Sequence, residues 1–474
     1  MNKKLYFIVL LSPNLAFANI INTCAGELMP VIEDKYKIIC ANTLGIIPDS
    51  GNDISDVLQD AITKASLLGV GIYLPSGSYL PSGSYIINKD LNLKKSTSLV
   101  GSPTGQTHLQ SNTESGVLIG DITYSNEVSN VLIENLILDN ITLEFYGRKW
   151  GNKIRYNALV NSKKRSGQLF ISHYPYEVIG NVFMRGETYP GLGLTTYKNT
   201  NTLIQGNYLG SPNEFANATG YIDKKTTALV TKLQEMVTNG DINIDGNQGN
   251  FITGWVAPDG LKNVTFKGNY FSGNTLSKLY NPQTGAFDLN RDHNVYIKQY
   301  QDVNVIQNYF SGWPKDASGH LKFRNAEGLT FAANYLNSIS FNARPYDNSP
   351  SMFMNKTYVF NNVVNNGQIN FWQNFTDEAP LKQIAVTDFL VFDNLLTNTT
   401  AAEKNCAISS TYRNTSQQFF ESQNYYDSGE LITACYFKRI SKKEVKDKLP
   451  IEKRAYLNIQ AIIPGSANQQ PKTK

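Results

Sequence analysis

The stretches KNVTFKGNYFSG (262–273) and DVNVIQNYFSG (302–312) share one pattern: a β-rich run, then asparagine, then two or three apolar or small residues. The same pattern surrounds Asn135, Asn157, Asn181, Asn207, Asn269, Asn308, Asn334, Asn362 and Asn394, and five of the eight gaps lie between 22 and 28 residues. A period of that length marks stacked supersecondary units that bury a common core only by stacking. The runs before each asparagine, such as NTLIQGNYL (201–209), alternate apolar and polar at period two and lack helical spacing, so each unit reads as strands. Asparagines turned inward at one position per coil predict a ladder of amide hydrogen bonds along the axis, since buried amides without such partners are costly.

Length and composition fit one elongated domain with appendages: 474 residues, 41% hydrophobic and 17% charged. Residues 1–18 carry Lys3 and Lys4, an apolar stretch and Ala16-Phe17-Ala18, the layout of a signal peptide. No later run approaches 18 apolar residues, so the reading is a secreted or periplasmic chain without membrane insertion. Removing those two lysines leaves 41 basic against 39 acidic residues, and this near-neutral balance gives no support to nucleic-acid binding. Cys24 with Cys40 and Cys406 with Cys435 form two local pairs, which export would turn into disulfides stapling the two ends.

The domain reading is a segment at 19–44, a solenoid over 45–430 opening with a capping helix at 53–69, and a cap and tail at 431–474. Ile54, Val57, Leu58, Ala61, Ile62 and Ala65 share one face of that helix, which would cover the open end of the solenoid. The hexapeptide LPSGSY occurs twice in succession, at 74–79 and 80–85, as a loop duplication. The 62-residue gap between Asn207 and Asn269 holds a helical pattern, TTALVTKLQEMVTNGD (226–241), and reads as an excursion beside one unlabelled coil. After Asn394 the repeat fades into the basic stretch KRISKKEVKDKLPIEKRAY (438–456).

The cap helix, the YLPSGSY turn and the asparagine-bearing coils together resemble the pectate lyase-like superfamily over roughly residues 45–430. That resemblance implies an all-β fold: a single-stranded right-handed parallel β-helix, a solenoid with an N-terminal capping helix. The superfamily includes polysaccharide lyases, glycoside hydrolases, epimerases, esterases and non-catalytic adhesins, so the fold alone does not choose the chemistry.

Outward residues must make that choice, and the asparagines supply the register. Before Asn308, NVYIKQY turns Val295 and Ile297 inward and Asn294, Tyr296 and Lys298 outward; before Asn334, HLKFRN turns Leu321 and Phe323 inward and His320, Lys322 and Arg324 outward. Equal offsets then pair Asn294 with His320, Tyr296 with Lys322 and Lys298 with Arg324, about 4.8 Å apart on stacked coils. The coil before contributes Trp255 and Asp259 by the same count, the coil after Asn342 and Arg344, and His293 lies alongside. Cations dominate this patch, which suits β-elimination on a uronic-acid polysaccharide, where a cation must neutralise the sugar carboxylate before the adjacent C–H becomes acidic enough to remove. Arg324 and Lys298 fit the clamp, Lys322 or His320 the base, and Tyr296 the proton donor to the leaving oxygen. Asn294, His293, Trp255, Arg344 and Trp313 are the expected substrate-binding set. DHNVYI (292–297) followed by GHLKFRN (319–325) also resembles an HN-Y and K-x-R pair found in secreted β-helix proteins and, more loosely, in alginate and chondroitin lyases; Phe323 occupies a slot that is commonly small. The resemblance to those lyases implies Ca²⁺ at the substrate carboxylate, although the sequence offers no Asp/Glu cluster suited to a hard cation. The expected partner is an anionic polysaccharide. Two alternatives stay open: a glycoside hydrolase drawing on Asp259, Asp288, Asp292 and Asp316, and a non-catalytic carbohydrate-binding β-helix stacking sugars on Trp255, Trp313, Tyr346 and Trp372.

Overall fold

The computed structural model describes residues 23–465 apart from 31, 34–36, 77–82, 105–106, 124–127, 147–150, 165–166, 174, 185–191, 211, 245–250, 256–259, 273–277, 282–283, 285, 291–294, 312–320, 344–352, 372–384, 401–403 and 411–418. At 192, 212–214, 251–255, 278–281, 286–290, 325–326, 353–354 and 385–387 it describes the backbone alone. Among these residues the chain winds into a parallel β-helix whose strands form one 23-stranded and one 12-stranded sheet, with every pairing inside both sheets parallel. The strands of the smaller sheet, from Ser84–Ile86 to Tyr425–Tyr426, each follow the corner that carries the asparagines. Inward residues of both sheets make one continuous core, in which Phe183, Leu209, Phe271, Phe310 and Leu336 follow one another coil by coil.

The corner explains the repeat. Asn157, Asn181, Asn207, Asn269, Asn308, Asn334, Asn362, Asn394 and Asn424 are at most 1% exposed, and each of the first eight donates from both its backbone N and its Nδ2 to Oδ1 of the next. The second Nδ2 hydrogen goes to a carbonyl of the preceding coil, as from Asn308 to Phe266 O at 3.0 Å. The residue before each asparagine is left-handed: Tyr156, Gly180, Gly206, Gly268, Gln307, Ala333, Asn361, Asp393 and Gln423 have φ between 52° and 63°. That conformation turns the chain from one sheet into the other, and it favours glycine and asparagine there.

Three sequence expectations change. Asn135 is not a rung: it occupies the left-handed corner position, φ 59°, while Leu136 takes the rung and its backbone N donates to Asn157 Oδ1 at 3.1 Å. Asn424 is a rung the repeat count ends too early to include. No unlabelled coil separates Asn207 from Asn269, because the two bond directly at 2.9 Å and Tyr208 pairs with Tyr270; the whole excursion belongs to one coil.

Helix α1, Ser55–Leu68, buries Leu58, Ala61, Ile62 and Ala65 in the same core as Ile72, Leu74 and Leu91, and Gly69 ends it in a left-handed cap. Val57, expected on the buried face, is 44% exposed. Strand Ile38–Cys40 extends the sheet one position before Gly71–Leu74, tied by the Cys24–Cys40 disulfide; Cys406–Cys435 forms the other. The excursion contributes helix α2, Lys224–Asn239, with Asp223 accepting from Thr226 N at 2.8 Å as its N-cap. Its Leu229, Val230, Leu233 and Met236 cover the outer face of the 12-stranded sheet at Ile137, Ala158 and Val182. Beside this helix Tyr208, Tyr270, Tyr309 and Tyr335, the residues after four rungs, stack in parallel at 5.2, 4.3 and 5.8 Å.

Helix α3, Lys442–Lys448, is opened by a Ser441–Glu444 capping box. From there the chain turns back along the solenoid as a strap. Lys453 Nζ donates to Asn304 Oδ1 at 2.9 Å, Asn361 Nδ2 to Leu457 O at 2.9 Å, Gln307 Nε2 to Gln460 O at 3.1 Å, and Tyr221 Oη to Ile462 O. No helix among the described residues is long and apolar enough to cross a membrane.

Candidate functional site

Two long strands position the site, Val295–Ile306 and Leu321–Ala332. Each runs through a bend, at Gln299 and Asp302 (φ 53° and 51°) in the first and at Gly328 (φ 82°) in the second, so its first half and its second half face different sides of the solenoid. In the first halves Val295, Ile297, Leu321 and Phe323 belong to the core, and the residues between them point outward. The register pairs Tyr296 with Lys322, Ile297 with Phe323 and Lys298 with Arg324, and the offset of 26 holds to the ladder itself, with Ile306 opposite Ala332. Lys322 continues to Asn342 in the next coil, Asn342 to Asn370, and Asn370 to Ser409.

The cations gather on one ring. Lys298 Nζ lies 5.5 Å from the centroid of Tyr296, and the Arg324 guanidinium carbon lies 5.3 Å from the same centroid. Arg324 is 7% exposed. Burial lowers the Lys298 amine below the ordinary lysine value, and the Arg324 charge lowers it further. The result is a permanent cation beside an amine that gives up its proton more readily than a surface lysine.

Backbone packing holds this arrangement from the preceding coil. Gly260 sits so close to the bend that a Cβ there would lie 1.5 Å from Gln299 O and 3.2 Å from Lys298 O, and Leu261 O accepts from Gln301 N at 2.7 Å. Gly260→Ala must push the Gln299–Tyr300 peptide outward and crowd the Lys298 carbonyl beside it. The expected result is a variant that keeps its far-ultraviolet circular dichroism but loses about 1–3 kcal/mol in equilibrium unfolding, the usual cost of overpacking; unchanged stability would mean that the backbone yields here without strain.

Of the remaining sequence candidates, His293, Asn294, Trp313, His320 and Arg344 lie outside the described residues, as do Asp259, Asp292 and Asp316. Trp255 ends strand Phe251–Trp255, but the column assigned to it needs correction. The count places Trp255 opposite Asn294, two places before Tyr296; Thr253 is the residue that pairs with Tyr296, so the column is displaced by four residues. The reason is an insertion: seven residues separate Gly254 from Lys262, whereas three separate their partners Ile297 and Gln301. Asp288 stands in the antiparallel hairpin Lys278–Asn281 with Ala286–Asn290, apart from the two large sheets. The row beyond Asn342 was not anticipated; its signal is an asparagine between two apolar residues, FNA (341–343) and INF (369–371), 28 residues apart.

Calcium fits this face poorly. Its described outward side chains are Tyr296, Lys298, Lys322, Arg324 and Asn342, without a carboxylate, and no group of three or more His, Cys, Asp or Glu side chains converges among the described residues.

Comparison with known proteins agrees with the fold. The chain has the parallel β-helix fold. Residues 38–146 match the family model described as rhamnogalacturonase A/epimerase, pectate lyase-like, a match that ends well before Tyr296. Among solved structures, the surface protein and adhesin PfbA of Streptococcus pneumoniae aligns with a TM-score of 0.50 at 11% identity over 85% of this chain and 100% of its own. An exopolygalacturonase from Thermotoga maritima gives 0.43 at 13% over 78% and 88%. The mannuronan C-5 epimerase AlgE6 A-module of Azotobacter vinelandii gives 0.39 at 12% over 84% and 94%. No curated protein matches the sequence.

Proposed function

We propose that the protein is a polysaccharide lyase that cleaves a uronic-acid-containing polysaccharide by β-elimination at the face formed by Tyr296, Lys298, Lys322 and Arg324. The observation that carries this reading is the pairing of Lys298 with Arg324 over the Tyr296 ring, with the Lys298 amine depressed. β-Elimination needs a cationic clamp and a base, and the two sit side by side. Arg324 holds the carboxylate through its planar fork, which lowers the barrier to removing the neighbouring C5 proton. Lys298, in its neutral form, takes that proton; this moves the base from Lys322, the sequence expectation, to the lysine whose amine is depressed. The C4–O bond breaks, a C4–C5 double bond forms, and Tyr296 protonates the departing glycosidic oxygen. Lys322, beside Tyr296, adds positive charge where the carboxylate gains electron density.

A hydrolase would need two carboxylates flanking the scissile bond, and the described outward positions of this face supply none. Incubation with purified pectate, alginate, chondroitin and hyaluronan distinguishes the readings. A lyase produces an unsaturated uronate absorbing in the near ultraviolet. Reducing ends without that absorbance would replace the proposal by hydrolysis, and binding without products would replace it by a carbohydrate-binding role. The pH profile supplies a further expectation. Because the active form of Lys298 is unprotonated and its folded value lies below 10.5, kcat/KM should rise with pH through a midpoint below 10.5. Lys298→Arg, which cannot lose its proton, should abolish the rising limb.

A further inference from the structure

The positive balance of the chain is concentrated in one place. Residues 438–456 hold eight basic and three acidic side chains, whereas the whole chain holds 43 and 39, so the remainder is slightly acidic. Several of these cations have structural roles. Arg439 pairs with Glu421 at 2.6 Å, Lys453 is buried on Asn304, and Lys448 lies 3.9 Å from the centroid of Phe420. Glu444, one of the three acids, is occupied by the capping box.

Lys442, Lys446 and Arg454 are different. None has a carboxylate within ion-pair distance among the described residues, and all three line one cleft of about 560 Å³ between the strap and the solenoid. Lys442 and Lys446 are one helical turn apart on α3. Arg454 is fixed in place, its Nε donating to Leu449 O at 3.0 Å and its Nη2 to Lys446 O, which leaves the other end of the guanidinium available. Asp393, Ser422 and Asn458 add hydrogen-bonding groups, and Phe392, Val445 and Leu457 add apolar wall. Burial raises the Asp393 carboxyl while Lys442 lowers it. The cleft adjoins Phe392 and Ser422, three and four coils along the solenoid from Ile306, the last residue of the strand that carries Tyr296 and Lys298.

We propose that this cleft is a second, non-catalytic saccharide site that takes an acidic sugar, its carboxylate held by Lys442, Lys446 and Arg454 and its hydroxyls by Asp393, Ser422 and Asn458. Cations alone would suit any small anion; the acceptor carboxylate, the apolar wall and a volume in the range of saccharide pockets select a sugar bearing both an acid and hydroxyls. The inference rests on the proposed anionic-polysaccharide substrate, and the site would hold the polymer on the protein between cleavage events.

The test uses the full chain in native gels cast with polygalacturonate or chondroitin. Lys442→Ser/Lys446→Ser is expected to weaken retardation at least fivefold while leaving turnover of a short soluble uronate oligosaccharide unchanged, and Lys442→Arg/Lys446→Arg is expected to retain wild-type retardation. Unchanged retardation in the serine variant overturns the site, as does a wild-type chain that neither polymer retards. Galacturonate trisaccharide and sodium sulfate, titrated at equal ionic strength, separate sugar from free anion: equal affinity for both, lost equally in the serine variant, overturns the acidic-sugar assignment. Failure of the lyase reading appears elsewhere, as normal turnover in Arg324→Ala, a variant that leaves this cleft untouched.

Discussion

Arg324→Ala is expected to lower kcat on the proposed polyuronate substrate by about a hundred- to a thousandfold, the size of loss seen when a preorganised donor is removed from a developing oxyanion. Arg324 is 7% exposed, paired in register with Lys298 and stacked near Tyr296, so its loss acts twice. The carboxylate loses its clamp, and the Lys298 amine loses the neighbouring charge that helps to depress it. The pH–rate profile of the variant should therefore move to higher pH as well as fall. Arg324→Lys restores charge without the bidentate fork and should recover part of the rate while keeping the shifted limb near its wild-type position. A variant with low activity but an unmoved pH profile would assign Arg324 to substrate binding alone, and near-wild-type kcat would remove it from the site. Thermal unfolding of the variant, read beside the kinetics, separates these outcomes from simple loss of the fold.

Asn308→Ala should be among the most destabilising single changes in the chain, by about 3–5 kcal/mol. Asn308 receives both donors of Asn269, at 2.9 and 2.8 Å, and gives its own two to Asn334 Oδ1, at 2.9 and 3.1 Å, with Phe266 O as a further acceptor. Alanine keeps the backbone N–H but leaves Asn269 with two buried donors unmatched and Phe266 O without its amide. Leucine would fill the space better and still leave them. Asn361→Ala, one residue before a rung, provides the comparison: it loses two bonds to the strap, from Nδ2 to Leu457 O and Ile459 O, and its backbone sits at φ 56°. It should cost about 1–2 kcal/mol. Equilibrium unfolding in guanidinium chloride measures both, and a loss below about 1 kcal/mol at Asn308 would mean that the ladder contributes little beyond filling space.

The architecture was legible because a buried amide can be satisfied only by another amide or a carbonyl at a fixed place in the next coil, so asparagine recurs wherever the coil returns. The same residue also suits left-handed corners, and that second preference makes Asn135 look like a rung while Leu136 holds the position. Asn424, in ESQNYYDSG, carries the full pattern, but its gap of 30 residues and the charged segment beyond it hide it at the end of the series. Within the site, Lys298 and Arg324 could be aligned by counting because the coil between them has no insertion. Trp255 could not, because four more residues stand between Gly254 and Lys262 than between their partners Ile297 and Gln301, while the pairing on either side is kept. Counting along a solenoid therefore fails one coil at a time and recovers at the next rung. Depression of the Lys298 amine was not readable from the sequence at all, since it depends on how deeply two neighbouring cations are buried. The strap was equally hidden: its charge was visible, but not its path past the corner residues Asp393, Asn361 and Gln307.

Every rung of the ladder points the same way. From Asn157 to Asn394 the backbone N–H and one Nδ2 hydrogen face the coil that follows, and the amide oxygen faces the coil before. The row is thus a line of dipoles set head to tail, with a hydrogen-rich end and an oxygen-rich end. A chain severed between two coils would present donors on one broken surface and acceptors on the other, and two such fragments would fit only in the order they had before. Opposite ends that complement each other across a translation generate an open filament rather than a closed pair. The terminal structures of this protein, a disulfide-tied strand before the first coil and a disulfide-tied turn after the last, therefore stand where the molecule would otherwise recruit copies of itself.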